Sequence, residues 1–184
     1  MTAAALALLA LLAALSLPFW RDLPVIRRFR LRAGLVLAIA VGLLALAAWF
    51  AINGPGRNRT ARELAIALSI VASLAAGGPV AKALLRLADR GTPASPQGPA
   101  RTTLLTGGAW IGALERIAVT TTLLARWPDG LALILAVKGL GRYPELRNAG
   151  YADQSAIAER FIIGTFASAL WAAACAGVGL ELLR

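Results

Sequence analysis

The chain has no histidine, and its single cysteine, Cys175, lies inside an apolar run. These absences exclude a disulfide within the chain, a thiolate or imidazole metal cage, and any histidine or Cys–His catalytic pair. Charge is scarce as well, at 15% of residues, and acidic residues are scarcest, nine against nineteen lysines and arginines. No nucleophile elbow and no Asp-rich metal motif is present, so enzymatic chemistry would rest on carboxylates and arginines alone. The expectation is a protein with no catalytic residues, no metal and no cofactor.

What fills the chain instead is apolar, 59% of its 184 residues, which is too much for an ordinary soluble domain and points to lipid as the solvent. The expected fold class is all-α, an integral membrane bundle of about six transmembrane or re-entrant helices. Apolar blocks lie at 3–17, 33–52, 64–80, 104–127, 131–140 and 161–183. The first is short, but it has no basic stretch before it and no small-residue cleavage site after it, so a retained helix is expected rather than a signal peptide. The second ends in Trp49 and Phe50, interfacial aromatics, before Asn53 and Gly54. The third carries Ser69, Ser73 and Gly77 at four-residue spacing, a stripe that lets another helix come close, and Gly78 and Pro79 are expected to weaken its far end.

The spacing divides the chain into an N-terminal three-helix half at 1–88, a Pro/Gly-rich cytoplasmic connector at 89–103 and a C-terminal three-helix half at 104–184. Block five spans only about 15 Å, the length of a broken or re-entrant element, and 142–160 reads as a polar loop with a short helix across 152–159. With both termini outside, most of the nineteen basic residues fall on the cytoplasmic side, which fits a multi-pass protein of the bacterial inner membrane. Arg21, Arg27, Arg28, Arg30 and Arg32 sit beside apolar blocks, where they suit anionic lipid head groups better than nucleic acid.

The unusual feature is Glu115-Arg116 in the middle of the fourth block. A charge facing lipid at that depth costs about 2.5–3.5 kcal/mol on insertion scales, so the pair should face protein, water or a ligand. The turn at 127–130 makes blocks four and five a hairpin. Counting down both arms at about 1.5 Å per residue puts Glu115 between Lys138 and Arg142 in depth. Glu115 is expected to pair with one of these two. Arg116 points about 100° away and is left to Glu145, Glu159 or a ligand anion. Gly108 and Gly112 form a GxxxG pair behind Glu115, and Gly164 and Ser168 begin a small-residue stripe in block six, both expected to serve helix packing. Thr120, Thr121 and Thr122 line a polar path or bond back to their own helix. Trp171 reads as packing.

The segments GAWIGALER at 108–116, AVK at 136–138 with Arg142 and Glu145, and ERFIIGT at 159–165 with Ser168 resemble the C-terminal part of a family of small bacterial polytopic membrane proteins of unknown function. The resemblance covers 104–170. It implies a polytopic membrane fold whose charged motifs, including Glu159 and Arg160, lie in the last three helices; it brings no reaction, substrate or cofactor. Two functions follow from the residues. The first is a small transporter or channel for an ion or small anionic solute passing Glu115, Arg116, Lys138 and Arg142. The alternative is a non-catalytic membrane scaffold or regulatory subunit, with a structural charge network and a second copy or a membrane protein as partner.

Overall fold

The computed structural model describes residues 2–16, 33–54, 59–88, 107–148 and 151–184, with the side chains of 107–109, 142, 144–148 and 151–157 outside the description. The described residues form α-helices, with no strand among them: α1 Thr2–Ser16, α2 Ala33–Ile52, α3 Arg59–Ala88, α4 Gly107–Leu124, α5 Asp129–Asn148 and α6 Tyr151–Leu183. Three are long and apolar enough to cross a membrane: α2, α3 and the part of α6 from Ala158 to Leu183. The all-helical class expected from composition is what the chain adopts. The arginine cluster at 21–32 and the connector at 89–103 lie outside the described residues.

Buried positions recur every three or four residues. In α1 they are Ala5, Leu9, Leu12 and Ser16; in α2, Ala40, Leu44, Ala47 and Ala51. In α6 the series Thr165, Ser168, Ala172, Cys175, Gly179 and Leu182 alternates steps of three and four. That is the spacing of a seam between helices crossing at a shallow angle, about 20°. Most of these residues are small, so backbones approach closely and dispersion between them supplies the attraction that lipid solvent cannot. Large apolar side chains, among them Leu35, Ile39, Trp49, Leu133 and Leu170, point outward instead.

α3 and α6 share the most extensive interface and join the two halves of the chain; α1 and α2 flank α3, and α4 lies against α3 and α6. Leu85 meets Gly164, Trp171 meets Gly77 and Ser69 meets Gly179, so α3 and α6 run antiparallel in one register. Among the described residues α5 has the slightest packing, chiefly against α4 and α6.

Four expectations need correction. Pro79, expected to weaken the far end of the third block, lies inside a helix that continues to Ala88, because a helix enclosed by neighbours tolerates the loss of one donor. The fifth block is not a short broken element but a continuous helix of 20 residues, since its polar end at 141–148 keeps helical structure after the apolar residues stop. The loop at 142–160 is therefore almost entirely helix, divided between α5 and α6. The fourth helix ends at Leu124, three residues before the end of its apolar block at 127.

That end is a Schellman closure. The Trp127 amide donates to the Thr122 carbonyl at 3.0 Å and the Arg126 amide to the Leu123 carbonyl at 2.9 Å. The residue that must turn left-handed is Arg126, at φ 58°, where glycine is usual. A left-handed non-glycine residue costs about 1–2 kcal/mol, part of which glycine returns as unfolded-chain entropy. Arg126→Gly should therefore leave the hairpin intact and stabilise the protein by about 0.5–1 kcal/mol, read as a higher midpoint of thermal unfolding in detergent. A lower midpoint would refute this account of the turn.

Candidate functional site

Glu115 and Arg116 are both buried, at 7% and 4% exposure, in the middle of α4. Lys138 Nζ reaches across from α5 and donates to Glu115 Oε2. Of the two cations bracketing Glu115, Lys138 is its partner; the side chains of Arg142 and Glu145 lie outside the description. Depth counting succeeded here because the turn between α4 and α5 is short and both arms are helical to the level of the pair. Lys138 Nζ also lies 5.8 Å from the centre of the Phe161 ring, within cation–π range. One ion pair and one ring thus tie α5, the least packed helix, to α4 and α6.

Arg116 takes another route. Its Nη1 donates to Ser168 Oγ at 3.4 Å, a long bond, and not to Glu159, which is exposed nine residues back along α6. Arg160 is exposed beside it. The Arg116 stem lies against α3. A Cβ on Gly77 would fall 2.2 Å from Arg116 Cδ and 2.7 Å from its Nε, so Gly77 is the space the arginine occupies.

Gly112 has a different role from the one its GxxxG spacing suggests. Its missing Cβ leaves room for Arg116 Nη1, which lies 3.3 Å from that point, rather than for a neighbouring backbone. Helical side chains lean toward the N-terminus, so residue i+4 covers residue i, and Arg116 covers Gly112. The surroundings of Gly108 lie outside the description. Gly164 meets only Leu85, at an ordinary 3.6 Å.

The small-residue stripe of α3 matches a stripe of α4 step for step. Gly77 faces Arg116, Thr120 Oγ1 donates to Ser73 Oγ at 2.8 Å, and Ser69 and Leu124 both converge on Gly179 of α6. Each turn up one helix is a turn down the other, which antiparallel helices require. The three threonines divide accordingly: Thr120 bonds across to α3, whereas Thr121 donates back to the carbonyls of Ile117 and Ala118 at 2.8 and 3.1 Å. Thr122 lies over Gly130 at the hairpin turn.

Several buried polar atoms have no hydrogen-bond partner among the described residues: Glu115 Oε1, Arg116 Nε, Ser69 Oγ, Thr165 Oγ1 and Trp171 Nε1. Three of the five, on Arg116, Thr165 and Trp171, belong to side chains of α4 and α6 near Ser168. Trp171 is buried like a packing residue, with Cδ1 3.2 Å from the Gly77 Cβ position. Sequence reading missed its place beside Arg116, and Gly77 as the arginine's seat, since both depend on which helix faces which. The stripe 69–73–77 was the available signal. An apolar groove of about 410 Å³, lined by residues such as Val41, Ala48, Leu84 and Leu170, lies on the outer side of Trp171. No three His, Cys, Asp or Glu side chains gather among the described residues.

Gly77→Ala should displace Arg116 and cost about 1–3 kcal/mol, the range for overpacking. Gly164→Ala, with ordinary contact distance and better helix propensity, should be neutral or stabilising. Thermal unfolding of the two variants in the same detergent checks the contrast, and equal midpoints would refute it. No family model matches the chain, and no curated protein or solved structure matches it either.

Proposed function

We propose that the chain is a multi-pass protein of the bacterial cytoplasmic membrane that acts as a small transporter or channel for an ion or small anionic solute, with a path beside Glu115, Arg116 and Lys138. The observation that carries the reading is a surplus of buried positive charge. Glu115 is committed to Lys138, and Arg116 has one long bond to a neutral hydroxyl. A guanidinium kept in an apolar bundle with no carboxylate of its own among the described residues is costly, and residues of this kind inside membranes mark ion and substrate paths. The three helices long and apolar enough to cross a membrane support the membrane location. The arginines at 21–32 would then hold anionic lipid. Lys138 contributes the gating element: the helix that carries it is the least packed, and its tie to Glu115 is the contact a passing ion would exchange.

A second reading is favoured by the Glu115–Lys138 pair itself. A paired, mostly buried ion bridge between two helices also serves a scaffold or regulatory subunit, where its worth is to fix one arrangement. The two readings part on a charge swap. For a scaffold, Glu115→Lys and Lys138→Glu should each destabilise the protein and the double variant should regain stability and assembly. For a transporter, the double variant should regain stability yet stay at least tenfold below wild type in anion flux from proteoliposomes, as should Glu115→Gln. Wild-type vesicles that pass no ion above empty liposomes would overturn the transport reading.

A further inference from the structure

Arg116 Nε–H and Trp171 Nε1–H are donors only, and neither has an acceptor among the described residues although both side chains are more than nine-tenths buried. They come from different helices and meet at one place. The Cβ position of Gly77 lies 2.7 Å from Arg116 Nε and 3.2 Å from Trp171 Cδ1, the atom bonded to Nε1. Two buried hydroxyls stand on the same side of α6. Ser168 Oγ accepts from Arg116 Nη1, which leaves its own O–H to donate, and Thr165 Oγ1, one turn earlier, has no partner among the described residues. An unmet buried donor costs about 1–3 kcal/mol, so a set of them asks for an acceptor.

Charge and space define that acceptor. Among the side chains of the site Glu115 contributes one negative charge and Arg116 and Lys138 two positive ones, so a monovalent anion neutralises the set and a dianion overshoots it. Glu115 Oε1 also lacks a partner among the described residues, but the Glu115 carboxylate is already paired with Lys138 and its side chain leaves the helix about 100° from Arg116. Gly77 and Gly112 are already filled to contact by Arg116, which leaves no room there for an organic body. N–H and O–H donors around a single compact acceptor suit a halide.

We propose that Arg116, Trp171, Ser168 and Thr165 form a binding site for a halide-sized monovalent anion between α3, α4 and α6. This rests on the transport reading only in making that anion, chloride in a cell, the transported solute. Trp171 then has a binding role that its apolar surroundings conceal.

The test uses purified full-length protein in detergent, titrated from sodium gluconate into sodium chloride or bromide at constant ionic strength, with the unfolding midpoint as readout. A ligand of the folded state raises the midpoint with concentration. The wild type should respond to chloride and bromide, and Arg116→Gln should lose the response. Trp171→Phe, which keeps the ring and removes the N–H, should weaken the apparent affinity about three- to tenfold. Leu170→Ala, at an outward-facing position, should respond as wild type does. Should Arg116→Gln fail to fold, the Trp171→Phe titration decides alone. A wild-type midpoint indifferent to halide, as expected if only water occupies the site, overturns the proposal; so does an unshifted titration in Trp171→Phe. Flux separates the two ideas: halide binding without halide flux overturns the transport reading and leaves the site standing, whereas halide flux unaltered in Trp171→Phe overturns the site and leaves transport standing.

Discussion

An arginine inside an apolar bundle has to be given a place, and the place given to Arg116 sets the spacing of three helices. Its stem fills the gap left by Gly77 on α3, its guanidinium covers Gly112 on its own helix, and its Nη1 reaches Ser168 on α6. α3 can approach α4 there because it has no side chain at that point. One turn away the contact changes to a hydroxyl pair, Thr120 with Ser73, and a further turn away Leu124 and Ser69 close over Gly179. Charge, hydroxyl and apolar contact thus succeed one another along a single seam, and small residues on the facing helices make room for each.

Glu115 works differently. Its partner comes from α5, which touches the rest of the bundle least, so the ion pair holds a helix that packing alone holds weakly. Two adjacent residues on α4 consequently act on opposite sides of it. Arg116 belongs to the rigid contact with α3 and α6, and Glu115 to the looser one with α5. The 100° between successive helical residues is enough to make one sequence motif serve two interfaces.

Much of this could be read from the residues because helical periodicity and depth are local quantities. The apolar blocks marked where α2, α3 and α6 run, and counting from the turn at 127–130 brought Glu115 level with Lys138. Reading failed where polar residues continue a helix. At 142–148 and 151–160 most side chains suit water, but the backbone bonds of a helix are the same in either solvent, so α5 and α6 extend into a stretch that composition assigns to a loop. It failed again at Pro79, where enclosure by neighbouring helices outweighs one missing donor. At the site, Glu115 and Arg116 stood out at once as charges out of place. Gly77 and Trp171 did not, since a glycine and a tryptophan in an apolar helix are unremarkable until the facing residue is known.

The matched stripes of α3 and α4 also bear on how the molecule can move. Displacing one helix along the other by a single turn would drive Arg116 into Ser73 in one direction, or bring Thr120 opposite Gly77 in the other, so the seam favours one setting. α3, α4 and α6 are therefore obliged to travel as one body. A movement of α5 away from this body would hinge at the α4–α5 turn, where Arg126 already holds the strained bend.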